Sequence, residues 1–225
     1  MARIGIIAVM AALLGGCGLG VLQTARPVAR GVVEATAGTG VMANDVIKAR
    51  NNQDYGWSFV EIGTRMGLTD NLDIGGKLQF FPGGLLDLRY NFLDKRSPLA
   101  LSMRGGFGGS AGSNGMAIHV PLALGISYDW PRVTPYAHLT WSHFWFWGGE
   151  PDDAETVDYV EAKGHGDGVL RSTAGVRFNL GGPVLLYLEY NYWLPLLNDE
   201  GDFYKFDDTH VVLLGLGFVS GDPIF

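Results

Sequence analysis

The chain has 225 residues, of which 34 are glycine, 12% are aromatic and only 17% are charged. That mixture is unusual for a soluble protein and is typical of a β-rich membrane protein. The formal net charge is −7, and the basic residues are scattered singly along the chain. Because nucleic acid is bound by clustered positive charge, this distribution excludes a nucleic-acid-binding function.

The N-terminus has the layout of a secretory signal peptide: a charged start, an apolar run over residues 4–14 and then two glycines. The run is too short to span a membrane comfortably. Cys17, the only cysteine, follows one apolar and two small residues, which resembles the bacterial lipobox. We predict a signal peptide over residues 1–16, lipidation of Cys17, and a lipid-anchored tether over residues 17–30. The alternative for Cys17 is a buried free thiol.

From residue 31 onward the dominant hydrophobic period is two residues. In the segment that begins at Leu72, apolar Leu72, Ile74 and Leu78 alternate with polar Asp73 and Lys77. Such alternation places the two kinds of side chain on opposite faces of a strand. The pattern predicts ten strands, over residues 31–42, 57–68, 72–81, 85–92, 99–109, 116–129, 134–147, 169–180, 184–194 and 209–219.

The predicted connections alternate between long and short. The long set is 43–56, 82–84, 110–115, 148–168 and 195–208, in which only 82–84 is short; the short set is 69–71, 93–98, 130–133 and 181–183. Long loops at one end and tight turns at the other indicate a strand count that is even, with both termini at the end of the short turns.

Two phrases carry a resemblance to a known family. Residues 67–75 read Gly-Leu-Thr-Asp-Asn-Leu-Asp-Ile-Gly, and residues 214–218 read Leu-Gly-Leu-Gly-Phe. They resemble small bacterial outer-membrane β-barrel proteins, and the second is similar to the C-terminal assembly signal of that family. In the family the aromatic residue usually ends the chain, whereas here seven residues follow Phe218, although Phe225 is itself terminal.

The resemblance implies an all-β, antiparallel, up-and-down transmembrane barrel of about ten strands, with eight as the alternative, over residues 31–225. It further implies a porin-like monomer in the outer membrane of a Gram-negative bacterium, with external loops and periplasmic termini. Its expected partners are outer-membrane lipid and, during biogenesis, the barrel-assembly machinery. We expect no cofactor and no metal.

Charged residues within the predicted strands are nearly balanced in sign. Five are acidic and six are basic: Glu34, Glu61, Asp73, Asp87 and Glu189 against Arg65, Lys77, Arg89, Arg104, Arg171 and Arg177. Since a small barrel has an interior hardly wider than its side chains, we predict that these charges form a paired network in the lumen. The alternative is a narrow, water-filled pore whose selectivity the same residues set.

The seventh predicted strand carries the weak catalytic candidates His138, Thr140 and Ser142 on one face. Some outer-membrane enzymes cleave acyl chains from lipids with a histidine that activates a hydroxyl. The Cα atoms of His138 and Ser142 would lie about 13 Å apart at the rise of a strand, too far for a direct hydrogen bond. A second weak resemblance, to outer-membrane proteases, rests on Asp208 and His210.

The sequence therefore favours a structural or surface-interaction role in the outer membrane, with at most a narrow pore. Two alternatives stay open: an outer-membrane lipid acyl hydrolase, and a small channel for ions or small solutes. The hydrolase requires a carboxylate and a hydroxyl within hydrogen-bond reach of His138. The channel requires a continuous open lumen.

Overall fold

A computed structural model describes residues 21–43, 57–79, 83–112, 115–148, 163–196 and 209–220. These residues form one closed antiparallel barrel, in which strands adjacent in sequence pair and the first strand pairs with the last. The strands are β1 (Val33–Ala43), β2 (Trp57–Gly67), β3 (Leu72–Gln79), β4 (Gly83–Asn91), β5 (Leu99–Gly112), β6 (Gly115–Tyr128), β7 (Val133–Gly148), β8 (Lys163–Gly181), β9 (Val184–Leu196) and β10 (Thr209–Ser220). The predicted fold class and the number of strands are confirmed. Within the ranges just given, the chain has no helix both long and apolar enough to cross a membrane.

The two ends of the barrel differ. At one, called here the turn end, residues 68–71, 92–98, 129–132 and 182–183 connect the strands. The last of these turns contains Gly182 at a φ of 58°, a left-handed conformation that favours glycine. The start of β1 and the end of β10 lie at this end too. The opposite end, called the loop end, leads into segments outside the described residues.

Apolar side chains cover the outside of the barrel. Leu124 in β6 is 56% exposed and Leu214 in β10 is 52% exposed, whereas residues that alternate with them are buried. Aromatic side chains are exposed near the turn end, where the rings of Tyr128 and Trp130 lie 5.2 Å apart. An aliphatic band bordered by aromatic rings is the surface that a lipid bilayer accommodates.

Most strand boundaries differ from those predicted by one or two residues, and the start of β8 and the end of β5 differ by more. β8 begins at Lys163, whereas residue 169 was predicted, because its glycine-rich start extends the pairing with β7 as far as Trp147. β5 and β6 likewise extend until only residues 113–114 separate them. Glycine-rich segments have no apolar alternation, so backbone pairing with the neighbouring strand, which the sequence pattern does not reveal, decides where such strands begin.

The described chain begins inside the barrel, which the sequence did not predict. Residues 21–30, called the plug here, precede β1 and include Val21, Leu22 and Ala25, each 0% exposed. Most of the plug thus lies in the lumen, with Arg30 exposed where it pairs with Gly67 at the turn end, although these residues belong to the segment assigned from the sequence to a tether. The predicted signal peptide and Cys17 lie outside the described residues. A ten-stranded barrel has room for an extended main chain that an eight-stranded barrel, filled by its own side chains, lacks.

Candidate functional site

An ion pair and hydrogen bonds hold the plug at the turn end. Arg26 pairs with Asp129, which follows β6, and donates from Nη1 to the Lys95 carbonyl over 3.0 Å. Two residues later, the Val28 N–H donates to Asp73 Oδ2 over 2.8 Å. The plug is therefore fixed to the turns as well as to the inner wall.

Asp73 is the centre of a buried charge network. Its Oδ1 accepts from Arg65 Nη2 over 2.6 Å and its Oδ2 accepts from Arg89 Nε over 3.2 Å. Arg65 also pairs with Asp87 at 2.5 Å, while Lys77 pairs with Glu61 at 3.2 Å. These side chains are at most 5% exposed. Buried charges persist when partners of opposite charge compensate for their lost hydration, as they do here.

The middle of the plug binds cationic and imidazole side chains of the wall. Gln23 Oε1 accepts from Arg65 Nη1 over 2.9 Å, and its main-chain carbonyl lies 2.9 Å from His138 Nε2. Arg89 donates to the Thr24 carbonyl. These acceptors are main-chain carbonyls and one side-chain amide. Charged side chains of the wall therefore satisfy the acceptors of a plug that has few charges itself.

Glu189 of β9 holds the inner part of the plug. Its two carboxylate oxygens accept from the consecutive main-chain N–H groups of Val21 and Leu22, each over 2.6 Å. They also accept from the Tyr136 hydroxyl and the Asn191 amide, each over 2.8 Å. Four donors converge on one carboxylate that is 1% exposed, so Glu189 is an anchor for the plug.

Leu22 packs where the wall lacks side chains. A Cβ atom at Gly38 of β1 would lie 2.5 Å from Leu22 Cδ1, and one at Gly215 of β10 would lie 2.8 Å from it. Both distances are far below van der Waals contact. A side chain at either glycine would therefore force the Leu22 side chain to shift.

All eleven charges predicted to face the lumen are turned away from solvent: ten are buried and Arg177 is half-buried. Glu34 accepts from the Tyr187 hydroxyl over 2.5 Å, and Arg177 lies 3.5 Å from Asp129. The ion pairs between lumen charges of β2, β3 and β4 all join different strands.

His138, Thr140 and Ser142 face the lumen together, but the structure does not assemble a catalytic group around them. The hydrogen bond of His138 goes to the Gln23 carbonyl. Within the described part of the chain, no carboxylate or hydroxyl is hydrogen-bonded to His138, and Thr140 Oγ1 has no partner. The hydrolase hypothesis thus receives no support from this geometry.

The protease-like pair is not assembled in the lumen either. His210 is exposed on the outer side of β10, and its Nδ1 lies 2.7 Å from the Tyr190 hydroxyl. Asp208 lies outside the described residues. Since His210 alternates with buried Val211, its orientation follows from the strand period.

Sequence reasoning missed the residues that join the plug to the wall, chiefly Gln23, Asp129 and Tyr136. Gln23 and its neighbours carry no periodic pattern, and Tyr136 resembled any other aromatic residue of a strand. The available signal was that Glu189 and Arg89, both predicted to face the lumen, have many hydrogen-bonding groups. Buried groups of this kind need partners, and those partners are supplied by the plug.

Three solved structures are similar to this chain at low sequence identity. The N-terminal β-barrel domain of Pseudomonas aeruginosa OprF is 11% identical, with 86% of this chain and 100% of that chain covered and a TM-score of 0.41. The outer membrane protease OmpT from Escherichia coli is 8% identical (84% and 94% covered, TM-score 0.44). The outer membrane protein OprG from Pseudomonas aeruginosa is 10% identical (88% and 99% covered, TM-score 0.37). No protein-family model and no curated protein sequence matches this chain.

Proposed function

We propose that this protein is an outer-membrane β-barrel with a structural or surface-interaction role, closed at its turn end by its own N-terminal plug. The observation that carries the proposal is the set of hydrogen bonds between the plug and the wall: Glu189 and Asp73 accept from plug N–H groups, and Arg65 and Arg89 donate to plug oxygens. An open channel requires a continuous aqueous lumen, and a main chain bonded to buried side chains of the wall opposes it.

The apolar outer surface supports the outer-membrane location. Exposed leucines and isoleucines at alternate positions of a closed barrel would be costly in water and are favourable in lipid. We place the turn end in the periplasm and the loop end outside, because outer-membrane barrels have their short turns in the periplasm. Outer-membrane lipid is then the main partner, with the barrel-assembly machinery acting during biogenesis and a monomer as the mature state.

Fractionation of a Gram-negative host that expresses the chain tests this location. We expect the protein in the outer membrane, with a gel mobility that changes on boiling because a folded barrel resists unfolding in detergent. A soluble periplasmic protein without a mobility shift would overturn the location.

Conductance across a planar lipid bilayer tests closure by the plug. We expect no steady conductance from the full chain, and discrete steps from a variant that lacks residues 21–28. A milder variant, Glu189→Gln, keeps the side-chain size but replaces one acceptor by a donor that faces the Val21 or Leu22 N–H. It should give intermittent openings. Steady conductance of the unaltered chain equal to that of the deletion would instead favour the small-channel alternative.

Lipidation of Cys17 is a separate part of the proposal, supported by the lipobox-like residues before it. Residues 18–20 separate Cys17 from Val21, so the two Cα atoms can lie at most about 14 Å apart. Lipidation and insertion of the plug therefore constrain each other. Mass spectrometry of the mature N-terminus checks the modification, with Cys17→Ala as the control. A mature chain that begins elsewhere would refute lipidation and leave the barrel unaffected.

A further inference from the structure

The plug moves away from the turn end as its residue numbers fall. Near that end, the Val28 N–H donates to Asp73, the second residue of β3. Earlier in the chain, the Thr24 carbonyl accepts from Arg89, which is the third residue of β4 counted from the turn end. Followed toward its N-terminal side, the plug therefore runs toward the loop end.

Val21 and Leu22, the first described residues, lie deepest in the lumen. Val21 donates from its N–H to Glu189 and accepts at its carbonyl from Lys77 Nζ over 3.1 Å. Leu22 approaches Gly38. Each of these three wall residues is the sixth of its strand counted from the turn end. At a rise of about 3.3 Å per residue and a tilt of about 40°, the sixth residue lies about 13 Å from the turn end, roughly half the height of an apolar band about 25 Å tall.

The segment before Val21 is long enough to cross the other half of the lumen. The Cα atoms of Cys17 and Val21 can lie up to about 14 Å apart. A path back to the turn end is opposed, because the plug itself fills that half of the lumen and its residues Val21, Leu22 and Ala25 are each 0% exposed. The open direction leads to the loop end.

The wall on the loop side suits this segment. Apolar Phe59, Phe144 and Val211 face the lumen there and are at most 5% exposed. Residues 17–20 read Cys-Gly-Leu-Gly and have no charged side chain. The two glycines make the segment narrow, and an uncharged segment needs no buried counter-charge beside apolar side chains.

Buried donors without a partner lie on the same side. In the part of the chain that the structure describes, the Thr140 hydroxyl and Trp193 Nε1 have no hydrogen-bond partner. Thr140 is the eighth residue of β7 and Trp193 the tenth of β9, counted from the turn end, so both lie beyond Val21. Buried polar groups are almost always satisfied. The wall already binds the main-chain carbonyl of Thr24, and the carbonyls of residues 17–20 are acceptors of the same kind.

We infer that residues 17–20 continue the plug through the loop-side half of the lumen, so that Cys17 lies at the loop end. Cys17 and the end of β10 then lie at opposite ends of the barrel, whereas an even strand count by itself places both termini at the turn end. The inference rests on the plug of the proposed function. With the loop end outside, as proposed above, a lipid on Cys17 enters the outer leaflet.

Two epitope insertions in the full chain test this path. One is placed between Gly18 and Leu19, and its control is placed between Asp94 and Lys95 at the turn end. Antibody binding is measured on intact cells and again after the outer membrane is permeabilised. We expect the first epitope to bind on intact cells and to gain less than twofold on permeabilisation. The control should gain at least tenfold.

The two epitopes separate the path of the segment from the orientation of the barrel. Both epitopes on one side of the membrane would overturn the inference, whichever side that is. Epitopes on opposite sides with the control outside would keep the path through the lumen and overturn the proposed orientation instead.

Photo-crosslinking decides the path if an insertion abolishes the heat-dependent gel mobility or hides the first epitope from antibody. The folded chain in detergent micelles carries p-benzoylphenylalanine in place of Leu19, and mass spectrometry identifies the residues it links. We expect links to the loop-side wall near Phe59, Phe144 or Val211. The same group in place of Ala29 should link to the turn end. Links from position 19 to the turn end, or none to the wall while position 29 links, would overturn the inference.

Discussion

Replacing Asp73 with asparagine removes the charge that Arg65 and Arg89 share. Asp73 is 0% exposed and also accepts from the Val28 N–H of the plug. Asparagine keeps the shape of the side chain but leaves two buried guanidinium groups with one fewer carboxylate. Its amide NH₂ group would also face the N–H donors of those guanidinium groups. Breaking a buried ion pair by removing one partner costs about 3–5 kcal/mol, and we expect a loss of this size in the free energy of unfolding.

Asp70→Asn is the matched control, because the same chemical change is made three residues earlier in the chain. Asp70 pairs with Lys95 at 2.6 Å, but the two side chains are 53% and 58% exposed. Solvent screening limits an exposed pair to about 0–1 kcal/mol. The two variants therefore separate burial from the mere presence of an ion pair.

Urea unfolding of the barrel in detergent micelles or lipid vesicles, followed by tryptophan fluorescence and gel mobility, measures both losses. Limited proteolysis adds a second readout, because Asp73→Asn should also release the plug near Val28. If Asp73→Asn costs no more than Asp70→Asn, the buried network does not hold the lumen together and our reasoning fails.

Two further predictions concern the wall. A Cβ at Gly67 would lie 2.1 Å from the Ala29 carbonyl oxygen, so Gly67→Ala should displace backbone and lower the free energy of unfolding by about 1–3 kcal/mol. Gly105→Ala is the control and should be nearly neutral, because its Cβ would meet only a flexible Leu122 methyl at 3.3 Å. Equal losses in the two variants would contradict this prediction. On the outer face, Leu124→Arg should lower the free energy of unfolding in lipid vesicles by about 2–4 kcal/mol, whereas Phe92→Arg, near the turn end, should lower it by about 0–1 kcal/mol. Equal losses would argue against a membrane-embedded band.

The sequence determined the wall of the barrel. A period of two residues separated lumen-facing Glu61 and Arg65 from outward-facing Ile62, because the strand itself fixes the direction of successive side chains. Pattern also located the ten strands, except where glycine interrupted it, as at the start of β8.

Only the tertiary structure decided what fills the lumen and which charges meet. Arg65 bonds with Asp73 and Asp87 of the two following strands, and strand register, which local pattern does not encode, determines that choice. The plug depends still more on long-range contacts: Val21 bonds with Glu189, 168 residues away in sequence. A short segment without periodicity takes its place from such partners, and these come together only when the barrel closes.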